Sequence, residues 1–183
     1  MALKQIAQRR AALVMLALLA ACRTLVPAAP PVAPCAAPPV DRTGWSLKDE
    51  TDFSFSVPPQ YESIPAQGID SRVGRYSSPD GSESVWFDYG RYSNDLRLDS
   101  ERMADYHACS EEIDGQLAYI VTYRVRDDLP AEQDRRYVAA ATWRDLRPEM
   151  HLTVQGEARS PEALPRLLSV LRSVRFPDDS AGF

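Results

Sequence analysis

The chain has 183 residues and a formal charge of −5, from 21 Lys+Arg against 26 Asp+Glu. That length suits one domain with appendages. The acidic balance, with no basic run past Arg10, argues against a nucleic-acid partner, and 8 Gly and 3 Cys exclude collagen-like and disulfide-dense classes.

The first residues read as an export signal. Lys4, Arg9 and Arg10 form a positive start, and Ala11 to Ala20 is an unbroken apolar run. A membrane-spanning helix needs about 20 apolar residues, and this run is much shorter. Proline-rich sequence follows directly, so a buried helix has nothing to pack on. Small residues Ala20 and Ala21 precede Cys22, as a signal peptidase requires, and a plain secretory peptide is the rival reading of this leader.

The segment Leu19-Ala20-Ala21-Cys22 resembles the lipobox of bacterial lipoproteins. The resemblance implies that residues 1–21 are removed and that Cys22 is lipidated. The membrane is then reached through acyl chains, each buried methylene contributing ~0.8 kcal/mol. Cleavage removes three positive charges and no acid, so the mature chain carries −8. Arg23, rather than Asp, follows Cys22. The resemblance therefore implies an outer-membrane address, facing the periplasm or the surface.

Residues 22–40 read as a Pro/Ala-rich tether, with six prolines between Pro27 and Pro39. Proline fixes φ and lacks an amide donor, so polyproline II is expected, at ~3.1 Å per residue. The tether also holds Cys35. With Cys22 lipidated, Cys35 and Cys109 remain as an even pair in an oxidising compartment, where a disulfide between them competes with intermolecular pairing and free thiols.

Residues 41–183 read as a single α+β domain. Phe53, Phe55 and Val57 alternate with serines. Val85, Phe87 and Tyr89 alternate likewise. Leu117 to Val125 forms the longest alternating face, and Tyr137 to Trp143 and Met150 to Val154 repeat it. This period of two predicts half-buried strands. Ser78-Pro79-Asp80-Gly81, Asp114-Gly115 and Arg147-Pro148-Glu149 supply the turns, Asp114-Gly115 as type I′. A second helix is a possibility over Asp99–Tyr106. Ser160 and Pro161 open a closing helix whose Leu164, Leu167, Leu168 and Leu171 form one apolar stripe. The expectation is an antiparallel meander of five to seven strands covered by this helix, with a short final strand around Val174 and Phe176 after it.

The FSFSVP strand end, the serine-led hairpin, the meander and the closing GEARSPEALPRLLSVLRSVRF segment resemble the Mog/PsbP-like fold. Members of that group are mostly binding or assembly modules, and the resemblance transfers no catalytic residue.

Residues able to carry chemistry are few. Ser71 lies in Gly68-Ile69-Asp70-Ser71-Arg72-Val73-Gly74, which departs from the Gly-x-Ser-x-Gly elbow and reads as a turn. Ser71, Trp86, Tyr89 and Tyr92 are candidate contacts for a partner or ligand. His107, His151 and the cysteines lack the local spacing of a zinc site, so no metal or other cofactor is expected. The leading expectation is a non-catalytic, lipid-anchored module that binds an envelope protein. The alternatives are a small hydrolase using Ser71 with a histidine, and a small-ligand carrier with a pocket between helix and sheet.

Overall fold

The computed structural model describes residues 37, 39–93, 96 and 103–177. The 1–21 leader, Cys22, Cys35 and most of the tether lie outside the described residues. The described ones belong to one compact unit, 32–183.

Strands β1 (Ser46–Asp49) and β2 (Ser54–Val57) pair antiparallel as a two-stranded ribbon. A seven-stranded sheet follows. Its members are β3 (Glu62–Ile64), β4 (Arg72–Ser77), β5 (Glu83–Gly90), β6 (Met103–Ile113), β7 (Gln116–Val125), β8 (Tyr137–Arg147) and β9 (Met150–Ala158). Their order is β3-β4-β5-β9-β8-β7-β6, with every pairing antiparallel. The sheet is therefore two meanders, β3–β5 and β6–β9, joined where β5 meets β9. The Asp114-Gly115 turn has the expected backbone, with φ of 53° and 74° at its two central residues.

The closing helix begins as read. Ser160 Oγ accepts the Glu162 N–H at 3.3 Å. One 3₁₀ turn, Pro161–Ala163, precedes the α-helix α1 (Leu164–Leu171). Pro165 explains the split. Its nitrogen cannot donate to a carbonyl four residues back, so regular α-helix begins with this proline in its first turn. Leu167 and Leu171 are fully buried, and Leu168 nearly so.

The helix does not cover the apolar face alone. Eight residues span about 12 Å, whereas seven strands at ~4.8 Å spacing are about twice as wide. α1 packs on β8 and β9. The other half of the face, over β4 and β5, is covered by β2. Phe53 meets Phe87 edge-on at 5.2 Å between centroids, and Phe55 meets Tyr76 at 5.7 Å. The two covers are stitched together. Ser54 and Arg175 exchange both backbone hydrogen bonds at 2.8 Å, and the Ser56 N–H donates to Ser173 Oγ at 2.8 Å. The final strand expected around Val174 and Phe176 is reduced to this single bridge.

Two further expectations are corrected. Met103–Tyr106 belongs to β6, not to a helix, and 99–102 lies outside the described residues. A bulge between Ala104 and His107, with Asp105 at φ 53°, interrupts the alternation there and hides the strand. On β7, the residues facing α1 and its neighbours are Ala118 and Ile120, not Tyr119, Val121 and Tyr123. Those three line the opposite face, in a second cluster with Leu96, Val138 and Ala140. Inner strands apolar on both faces give period-two patterns that do not say which face is the main core.

Two charged networks add ties at the central strands β5 and β9. Arg166 of α1 bonds both oxygens of Glu83, which also accepts the Tyr61 hydroxyl. Burial and the Glu83 carboxylate push the Tyr61 hydroxyl well above its ordinary pKa. On the opposite face, Arg135 is buried against Glu157 at 3.4 Å and Glu132 at 3.2 Å, with Gly81 O accepting at 3.2 Å.

Candidate functional site

The β4–β5 register decides which candidate residues meet. Arg72 pairs with Tyr89, which puts Ser71 beside Gly90 at the end of the sheet. A Cβ on Gly90 would stand 2.6 Å from Ser71 Cβ, so glycine is what lets Ser71 lie across the strand end. Ser71, Tyr89 and Gly90 line one open cleft of about 630 Å³, with Ile69, Arg72, Arg91 and Met150.

Most charges around this cleft are in ion pairs; Asp70, which also lines it, has none among the described residues. Arg72 lies over the rings of Phe53 and Tyr89, 5.6 and 5.3 Å from their centroids. Asp52 bridges two arginines, at 3.1 Å to Arg72 Nη2 and 2.8 Å to Arg147 Nη1. Arg91 pairs with Glu149 on the rim. Burial raises the Tyr89 hydroxyl pKa, and the Asp52 charge raises it further. Beside these pairs stand two apolar groups in solvent. Ile69 is fully exposed, and Tyr92, next to Arg91, is 71 % exposed.

Trp86 is not part of this cleft. It is three residues from Tyr89 on the same strand and so faces the other side of the sheet. There its indole N–H donates to Glu157 Oε1 at 3.4 Å. It floors a separate groove of about 310 Å³ walled by Val73, Arg75 and Glu132. The Arg75 guanidinium, 2.9 Å from Glu132, holds that carboxyl below the usual range.

Neither histidine lines the Ser71 cleft. His107 is exposed on β6, the far edge of the sheet and five strand positions from β4, about 24 Å at ~4.8 Å per strand. His151 sits opposite Gly90, on the strand after it. Its Nδ1 accepts the Asp145 backbone N–H at 3.2 Å. Among the described residues, no hydrogen bond joins Ser71 to a histidine. The space between α1 and the sheet, where a carrier would hold its ligand, is filled by Leu167, Leu171, Trp143, Leu152 and Val154, all fully buried.

Sequence reasoning missed Ile69, Arg72, Arg91 and Asp52 as cleft residues. Ile69 had a signal: an isoleucine in a Gly/Asp/Ser turn has no local core to join.

Cys109 is buried on β6 and is disulfide-bonded, while Cys35, its expected partner, lies outside the described residues. No protein-family model matches the chain, and no curated protein matches it.

Proposed function

We propose that this chain is a bacterial envelope lipoprotein, anchored through lipid on Cys22, whose body is a non-catalytic binding module of the Mog/PsbP-like fold. The leader supports the anchor: a positive start, a short apolar run and Leu19-Ala20-Ala21-Cys22. The absence of Asp after Cys22 supports an outer-membrane address. The observation that carries the binding role is the fully exposed Ile69 standing, with Tyr92 nearby, at an open cleft where Asp52, Arg72, Arg147, Arg91 and Glu149 are already in ion pairs. A protein partner that seats an apolar side chain there gains hydrophobic burial without breaking those ion pairs.

Two measurements test this reading. Cys22→Ser should move the protein from membrane to soluble fractions; retention at the wild-type level refutes the anchor. A photo-crosslinking side chain at Ile69 or Tyr92 should capture one discrete envelope protein in living cells. The same probe at Asp128, an exposed residue at the other end of the sheet, should not. Identical adducts from all three positions would refute the cleft as the binding surface.

A further inference from the structure

We infer that Cys35 is the disulfide partner of Cys109, so that the end of the tether is clipped into the seam between α1 and β6. This inference goes beyond the anchor and the partner cleft and requires neither.

The seam is built to hold the chain just after Cys35. Arg172, at the end of α1, bonds both oxygens of Glu111 on β6 at 2.9–3.0 Å. The same guanidinium donates from Nη1 to the Ala37 carbonyl at 3.1 Å. Three residues on, the Val40 N–H donates to Ser169 Oγ at 3.1 Å, and Ala37 packs against the main core. The tether therefore reaches the body before the first strand begins, alongside α1 and next to Glu111.

Glu111 and Cys109 are two apart on β6 and share a face, about 7 Å from Cα to Cα. Cys35 is two residues from Ala37, a reach of about 7 Å. Cys109 is fully buried and already disulfide-bonded. The chain has 3 cysteines, so an intrachain partner is Cys22 or Cys35. From Ala37, Cys35 closes a loop of about two residues and Cys22 one of about fifteen. The (3/2) ln n dependence of loop closure favours the nearer thiol about 20-fold. Proline-rich sequence between them stiffens the chain and does not help Cys22 fold back. In the bond-forming step the two thiols lose two protons and two electrons to the disulfide of an oxidising thiol–disulfide donor, which leaves as a dithiol.

The clip changes where force enters the body. Tension on an unclipped tether passes through the single hydrogen bonds at Ala37 and Val40 and on into β1–β2, a two-stranded ribbon. Tension on the clipped tether passes from Cys35 to Cys109, in the middle of an eleven-residue strand paired along most of its length with β7.

The test is peptide mapping of the full chain, expressed with its leader, purified without reductant, alkylated and cut with trypsin. The expected product joins the peptide from Thr24 to Arg42 with that from Met103 to Arg124. The same product is expected from Cys22→Ser, so loss of lipidation and loss of the clip are read separately. Reductant should lower the thermal midpoint of the wild type by about 10 °C and leave Cys35→Ala unmoved. Linkage of Cys109 to the Cys22 peptide, linkage only in a covalent dimer, or alkylated Cys109 in unreduced protein overturns the proposal. So does a wild-type midpoint indifferent to reductant.

Discussion

Replacing Gly156 by alanine tests how closely α1 sits on the sheet. Gly156 is on β9, and a Cβ there would stand 2.8 Å from Leu167 Cδ2 and 3.1 Å from both its Cβ and Cγ. The crowding reaches the root of the leucine, so rotating the side chain does not relieve it and α1 itself has to shift. Overpacking of this kind costs about 1–3 kcal/mol, offset by about 0.5–1 kcal/mol because alanine loses less backbone freedom than glycine in a strand. Leu167→Ala acts in the opposite sense. It removes three carbons from a fully buried site, about 2–3 kcal/mol by transfer and 2–5 kcal/mol with the cavity included. In the double variant the new methyl group occupies part of the space the leucine leaves. The cost should then fall below the sum of the single costs by about 0.5–3 kcal/mol, the range for contacting residues. Urea unfolding of the four proteins at equilibrium measures the cycle. Strict additivity would refute the claim that Leu167 seats directly over Gly156.

Other outcomes follow from the same geometry. Leu168→Ala should cost about 2–5 kcal/mol as a truncation in the helix–sheet core, read as a lower urea midpoint at unchanged slope. Arg135→Ala should destabilise by about 3 kcal/mol because it leaves Glu157 with a partly buried, uncompensated carboxylate; a change below ~0.5 kcal/mol would show that the network is ornamental. Tyr123, pushed up to about 12 by burial and then by Glu157, holds its proton more tightly folded than unfolded. Its contribution is complete below the ordinary tyrosine pKa near 10 and is lost as pH rises from there through about 12. Tyr123→Phe should flatten the fall in stability over that window, and an unchanged slope would count against its burial.

The local features were legible because their causes are local. Asp114-Gly115 supplies two residues that tolerate positive φ, and Ser160-Pro161 supplies a cap and a residue without an amide proton. The order of the sheet was not legible. Pairing of β5 with β9 is decided by contacts far apart in the chain, and nothing near Val85 or Val154 marks the other as its neighbour. The role of β2 as a second cover was hidden for a related reason: Phe53, Phe55 and Val57 look the same whether they extend a sheet or lie across it. Of the candidate contacts, Ser71 and Tyr89 came together through a register that sequence does not fix. The separation of Trp86 from Tyr89 was readable, because positions three apart on a strand take opposite faces. Ile69 gave only an oddity of composition, since a cleft is a property of the assembled strand ends.

The order β3-β4-β5-β9-β8-β7-β6 also sets the timetable by which the molecule can form. The strand at the centre of the sheet is the last strand made, and its contacts with β5 join residues about sixty to seventy-five positions apart. A chain that ends before Met150 holds two separate sub-sheets, β3–β5 and β6–β8, each with an apolar face and open edges where β9 belongs. Such edges invite pairing with other chains. The long closures slow the final step. Folding of this body therefore waits on its C-terminal quarter, so early release or truncation should show up as aggregation before it shows up as a partly stable domain.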